Sequence, residues 1–145
     1  MKLNKSSPKS IVLTSFGYKS NEKIHANMLF DVRFLDNPFW EPALRDLTGL
    51  DQPVKNYVLD QVAAKEFVDD VVNLMTKYLD KSLAKAEGNF TIAIGCTGGQ
   101  HRSVAVIEAL ANQIINKFAS YHIIVKHREL HYEKEINTLD VPLKS

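Results

Sequence analysis

The residues best suited to chemistry stand in one run, Gly95-Cys96-Thr97-Gly98-Gly99-Gln100-His101-Arg102-Ser103. An apolar stretch precedes it and a helical pattern follows, so the run sits where a strand feeds a helix. In an open α/β sheet, ligands collect outside the carboxyl ends of the strands. A helix start there offers free backbone N–H groups and the positive end of the helix dipole, which favour an anion. Gly98 and Gly99 let the backbone curl around a bound group. Arg102 adds a forked, permanently charged donor suited to phosphate. Thr97 and Ser103 add hydroxyls, and His101 can donate or titrate. The chemistry indicated is capture of a tetrahedral anion, above all a phosphate ester. The GxxxxGK[ST] spacing of a Walker A loop is absent, so nucleotide hydrolysis by that device is not expected.

A second pattern overlaps the first. Cys96 to Ser103 reads CxxGxxRS, which resembles the phosphate loop of cysteine-dependent phosphatases. A cysteine at a helix start beside an arginine has the setting of a lowered thiol pKa, and a thiolate is a nucleophile. Cys96 and Arg102 are therefore the alternative catalytic pair. Gly95 stands where those enzymes carry a histidine, and the only candidates for a general acid are Asp31, Asp36 and Asp46. Cys96 as a small buried residue at a strand end is the plainer reading.

The elements that must position this run follow from pattern. Strands are expected at Ile11–Ser15, Met28–Phe34, Phe90–Gly95 and Tyr121–His127. Helices are expected at Pro53–Asp60, Val62–Ala86 and Arg102–Phe118. In the longest helix Phe67, Val71, Leu74, Met75, Tyr78, Leu79 and Leu83 share a face at helical spacing and predict core packing. In the last, Val104, Ile107, Leu110, Ala111, Ile114, Ile115 and Phe118 point inward. Strand 90–95, the glycine loop, helix 102–118 and strand 121–127 make a βαβ unit with parallel strands. The fold class is α/β, one domain with a mostly parallel sheet and helices on its faces. Residues 1–9 read as a flexible tail, 10–130 as the domain, and 131–145 as a frayed tail.

Composition narrows the function. The 145 residues are 45% hydrophobic and 24% charged, a globular balance that excludes wholesale disorder. No apolar run reaches the ~20 residues of a membrane helix, and no membrane partner is expected. The N-terminal MKLNKSSPKS lacks the apolar core of a secretory signal. A single cysteine cannot form an internal disulfide, which points to a reducing compartment, the cytoplasm. Net charge is +1, and only residues 88–128, with four basic and one acidic side chain, are appreciably basic. A general nucleic-acid footprint is missing; a local anion site is not. No cofactor or metal is expected.

The resemblance that covers most of the chain comes from a string of motifs in order. They are Ser15-Phe16-Gly17-Tyr18-Lys19, Phe30-Asp31-Val32-Arg33-Phe34-Leu35, Asn37-Pro38 with Trp40, Leu44-Arg45, Thr48-Gly49-Leu50-Asp51 with Pro53-Val54, the run Ala93 to Gly99 with His101-Arg102-Ser103-Val104, and His127-Arg128. Over about residues 11–130 the chain resembles the C-terminal domain of the RapZ family, without the P-loop nucleotide-binding domain that precedes it in family members. The resemblance implies an α/β unit that senses an amino-sugar phosphate, glucosamine-6-phosphate, and in some bacteria binds small regulatory RNAs. It implies a pocket in which Asp31 accepts hydrogen bonds from ligand amine or hydroxyl groups. Arg33 adds charge there, and Thr97, Gly98, Gly99, His101, Arg102 and Ser103 hold phosphate. Plainer roles stand beside these: Asp31 as an ion-pair partner of Arg33 or Arg102, His101 as a helix cap, and Asn37, Pro38 and Trp40 as shapers of a turn.

Two departures stand out. Phe39 replaces the family's histidine, which removes a polar group from the implied pocket. The stretch 129–135 is net acidic where RNA-binding members are rich in Lys and Arg, which weakens the case for RNA because phosphate neutralisation dominates RNA affinity. The leading expectation is a non-catalytic binding or sensor module for a phosphorylated small molecule, a sugar phosphate or a nucleotide, acting as a regulatory adaptor. An RNA-binding adaptor and a phosphatase are the alternatives. A homo-oligomer and a separate P-loop protein remain open as partners. At this level Arg102→Ala is expected to remove ligand binding and leave the fold intact.

Overall fold

The computed structural model describes residues 9–85 and 88–136. Five strands, β1 Ser10–Gly17, β2 Met28–Asp31, β3 Phe90–Cys96, β4 His122–His127 and β5 Tyr132–Ile136, form one sheet in the order β2-β3-β1-β4-β5. All pairings are parallel except β4 with β5. Central β1 is buried along nearly its whole length, so it reads as an apolar run rather than as alternation. Strands β3 and β4 are parallel as the βαβ pattern requires, with β1 inserted between them: Ile11 pairs with Phe90 on one side and Ile123 on the other.

Three helices, α1 Gln52–Leu59, α2 Val62–Lys85 and α3 Arg102–Ile114, cover the sheet face that carries Ile11, Leu13, Ile92, Ile94, Ile123 and Val125. Helix α3 lies on β1, β3 and β4, and α1 and α2 pack against α3. The buried stripe of α2 is Ala64, Val68, Val71, Val72, Met75, Leu79 and Leu83. Val71, Met75, Leu79 and Leu83 match the expected face. Tyr78 is 40% exposed, and Phe67 sits half-buried at the sheet margin. There Phe67 meets Phe30 and Phe34 edge to face at 5.5 and 5.8 Å. The smaller Ala64, Val68 and Val72 take the close contacts inside.

Several boundaries differ from expectation for local reasons. Strand β2 ends at Asp31 rather than Phe34, because the Asp31 side chain accepts the Arg33 N–H at 2.8 Å and turns the chain. Helix α3 ends at Ile114 rather than Phe118. Irregular turns carry the chain on, and Phe118 still reaches the core at 8% exposure. The β-branched Ile114 and Ile115 followed by Asn116 are weak helix formers.

The terminal tails need correction. Residues 1–8 lie outside the described residues, but Lys9 is anchored: its ammonium donates to Leu83 O at 2.6 Å and its carbonyl accepts the His122 N–H. Of the expected frayed stretch 131–145, Tyr132–Ile136 is β5, and 137–145 lie outside the described residues. The polar composition conceals an edge strand, which needs only one apolar face. Tyr132 tilts against the His127 ring at 5.3 Å, Ile136 packs on the core, and His131 makes the tight return at φ 52°. Charged Glu133, Lys134 and Glu135 suit an exposed edge.

A polar chain ties α3 to the sheet. The Ser15 hydroxyl meets His127 Nδ1 at 2.7 Å, and His127 Nε2 meets the Glu108 carboxylate at 2.9 Å. A carboxylate only accepts, so Nε2 carries the proton. Ser15 and His127 are fully buried, so this constellation is structural. The His127 hydrogen bond holds Glu108 below its ordinary value of 4.5, against the opposing effect of burial. A depressed carboxyl contributes stability that is complete above its ordinary value and is lost as pH falls through the lowered one. Glu108→Ala is expected to cost about 2 kcal/mol at pH 7, a difference that shrinks below about pH 4.5. Urea unfolding of both proteins from pH 7 to 3 checks this, and a constant difference across that range would contradict it.

Candidate functional site

The carboxyl ends of β1 and β3 meet at Gly17 and Cys96, which pair in register. From there the loop 97–101 runs over the end of β1 into α3. Its carbonyls are held from behind. Lys19 N–H donates to Thr97 O at 3.0 Å, Gly49 N–H to Gln100 O at 2.8 Å, and Ala105 N–H to His101 O at 3.0 Å. Among the described residues no protein acceptor meets the N–H groups of 98–101. With the carbonyls of 97, 100 and 101 bonded and the amides of 98–101 free, the loop has the polarity of a helix start, which favours an anion.

Two glycines make this geometry possible. Gly99 takes φ +73°, and a Cβ there would lie 2.5 Å from Gly17 N and from Glu129 Cγ. A Cβ on Gly17 would lie 2.5 Å from the carbonyl carbon of Gly98. The loop therefore rests directly on the β1 backbone.

In front of the loop lies a cleft of about 410 Å³. Thr97, Gly98, Gln100, His101 and Arg102 form one wall, with Cys96 at its base. Lys19 closes one side, and Asn37, Phe39 and Trp40 form the other. No acidic side chain is among these residues.

Arg102 is only 5% exposed. Its Nη1 donates to both Arg33 O and Leu35 O at 3.0 Å, and its Nη2 approaches Thr97 Oγ1 at 3.4 Å. Its Nε–H is buried without a partner among the described residues. The guanidinium thus does two jobs. It tethers the 33–35 turn to α3, and it places a positive charge in the cleft wall. Because of the tether, Arg102→Ala is expected to loosen the 33–35 turn as well as the cleft.

The other expected site residues divide. Thr97 and Gly98 are exposed in the cleft wall, and Gly99 is buried behind it. His101 is 8% exposed and its Nε2 donates to Arg45 O at 3.2 Å. It makes no side-chain cap on α3. Ser103 is turned away from the cleft and fully buried: its hydroxyl bonds the Cys96 thiol at 3.2 Å and Phe16 O at 3.5 Å, and its N–H faces Cys96 Sγ. Cys96 itself is 2% exposed. Asp31 and Arg33 are not in the cleft lining. They form an exposed fork, with Arg33 Nη2 2.7 Å from Asp31 Oδ2 and Nε 3.0 Å from both carboxylate oxygens. The Arg33 guanidinium holds the Asp31 carboxyl below its ordinary value and lies 4.1 Å over the Tyr18 ring.

Sequence reasoning missed Lys19, Gln100 and the aromatic side of the cleft. Asn37 does shape a turn, since its Oδ1 accepts the Phe39 N–H at 3.0 Å, and Pro38 is buried. The same turn lifts Trp40 to 70% exposure, edge to face with Phe39 at 5.3 Å, while Arg45 covers the other side of Phe39 at 4.9 Å. The available signal was an aromatic pair in a turn that belongs to no periodic apolar pattern.

Comparison with known proteins agrees with this architecture. The family model described as the RapZ C-terminal domain matches residues 9–131. A "Nucleotide-binding protein" of Shewanella amazonensis is 46% identical over 121 residues, 83% of this chain and 42% of the relative. One of Pediococcus pentosaceus is 42% identical over 133 residues, 91% of this chain and 44% of the relative. The chain spans less than half the length of these curated relatives. A match running from Lys9, at the head of the central strand, to His131, just past β4, the fourth parallel strand, takes in every element that builds the cleft: the chain belongs to the RapZ C-terminal domain family.

Proposed function

We propose that this domain is a non-catalytic module that binds the phosphate group of a small phosphorylated molecule in the cleft above loop 97–101, as part of a regulatory adaptor. The observation that carries the reading is the row of loop amides 98–101 without acceptors among the described residues, beside the Arg102 guanidinium that lines the cleft. Free amides at a helix start beside a guanidinium favour an oxyanion. Lys19 adds a second cation at the rim. Gly98, Gln100 and His101 offer backbone N–H groups, and Thr97 offers a hydroxyl. Phe39 and Trp40, packed edge to face, offer aromatic surface to the rest of the ligand, which suits a sugar ring or a nucleobase. A sugar phosphate such as glucosamine-6-phosphate and a nucleotide are the two ligand classes to test. The name carried by the relatives supports a nucleotide. Asp31 and Arg33 would join the site only if their mutual fork opened toward the ligand.

The phosphatase reading draws less support. The Cys96 thiol is engaged with Ser103, and none of Asp31, Asp36 and Asp46 lines the cleft. No described feature favours RNA over a small ligand.

Trp40 is the chain's single tryptophan and lies in the cleft, so its fluorescence reports occupancy. Titration with inorganic phosphate, glucosamine-6-phosphate and nucleoside monophosphates is expected to give a saturable change for the phosphorylated compounds. The affinity should weaken as salt rises, since Lys19 is exposed to screening. No change with any of them, matched by silence in calorimetry, would remove the proposal.

A further inference from the structure

We propose that Arg128 and Glu129, which follow β4 and lie outside the cleft lining, are positioning residues that set the shape of the anion loop; the inference rests on the phosphate reading above. Glu129 touches both halves of the loop's support. Its Oε2 accepts the Gly17 N–H at 3.0 Å, and its Cγ lies 2.5 Å from where a Gly99 Cβ would stand. Gly17, the pair Gly98-Gly99 and the Glu129 stem are thus packed in mutual contact, with no side chain between them. The Glu129 carboxylate is held in turn by Arg128, at 2.8 Å from Nε and 2.7 Å from Nη2.

Arg128 fixes the other neighbour of the loop. Its guanidinium donates to Ser20 Oγ at 2.9 Å, Glu22 O at 3.2 Å, and Lys23 O and Gly17 O at 3.4 Å. It lies 5.6 Å from the Phe16 ring centre. One side chain therefore gathers the segment 17–23 onto the end of β1. That segment carries Lys19, whose N–H pins Thr97 O and whose side chain borders the cleft. Arg128 and Glu129 neutralise each other, so the pair adds no net charge to the site. Its effect is on where the loop amides and Lys19 stand. A donor displaced by a fraction of an ångström loses much of its hold on a compact anion.

The test separates the acceptor from the packing. Glu129→Met keeps the stem against Gly99 and removes the acceptor for Gly17 N–H and Arg128. Glu129→Gln keeps both stem and acceptor oxygen. Two readouts are taken on each folded protein: amide hydrogen exchange at Lys19, and inorganic phosphate affinity by calorimetry with the nitrogen–proton shifts of Gly98 and Gly99. Glu129→Met is expected to speed Lys19 exchange and weaken phosphate by about tenfold each, with Glu129→Gln within about threefold of the parent. Arg128→Lys, which loses the fork but keeps the charge, should resemble Glu129→Met. Exchange and affinity unchanged in both Glu129→Met and Arg128→Lys would overturn the proposal. If the parent binds no phosphate yet Lys19 exchange rises in Glu129→Met and not in Glu129→Gln, the positioning role stands and the phosphate reading falls.

Discussion

Arg102→Ala is expected to lower the midpoint of thermal unfolding by about 10 °C and to abolish binding of phosphorylated compounds together. The first effect follows from the tether. Arg33 O and Leu35 O each lose a charged donor, and a buried carbonyl left unsatisfied costs about 1–3 kcal/mol. The loss of the packed side-chain stem adds to this, for a total near 3 kcal/mol, and a domain of this size shifts by about 2–4 °C per kcal/mol. The second effect follows from removing the cleft's buried cation and from loosening the 33–35 turn next to Asn37, Phe39 and Trp40. Arg102→Lys discriminates between the two. It keeps the charge but cannot serve two carbonyls and the cleft with one fork, so it should recover part of the stability and little of the binding. Circular dichroism melts and Trp40 fluorescence read both. A melt within about 2 °C of the parent would show that the carbonyl tether contributes nothing.

Gly99→Ala is expected to destabilise the domain by about 3–4 kcal/mol and to remove phosphate binding as well. A left-handed φ costs an L-residue about 1–2 kcal/mol, and crowding a packed contact adds about 1–3. Here the first obstacle is backbone: the new methyl would lie 2.5 Å from Gly17 N, in addition to Glu129 Cγ. Backbone cannot swing aside as a side-chain tip can, so the loop must lift off β1. Lifting it breaks the Lys19–Thr97 bond and misaligns the free amides. Gly98→Ala is the matched control, because a Cβ there meets nothing within 4 Å. It should be tolerated within about 1 kcal/mol. Equal behaviour of the two alanine variants in urea unfolding would contradict this account.

The cleft draws on residues far apart in sequence. It is lined from the end of β1, the turn after β2 and the loop after β3, and the corner after β4 packs behind that loop. No one of these segments carries the donors alone. Each is pinned by the next through a backbone bond or a buried charge.

The α/β class and the parallel strands were legible in the sequence, because each depends on local pattern. Apolar β-branched runs make strands, a 3.6-residue stripe makes a helix, and adjacent glycines before His-Arg-Ser mark a strand-to-helix turn. The Ser103 role was not legible, since a hydroxyl one residue past Arg102 could face either the cleft or Cys96, and only the phase of α3 against β3 decides it. Asp31 and Arg33 were ligand groups by resemblance and ion-pair partners on the plainer reading; the turn after β2, which closes their fork, decides for the pair in this structure. Strand β5 was hidden for a related reason: its charges suit an edge, and an edge exists only once β4 is placed. Trp40 and Lys19 joined the site through the folding of two turns around it. Local sequence determined what each segment is. Long-range contacts decided which polar groups satisfy one another and which, like Arg102 Nε, are left without a partner among the described residues.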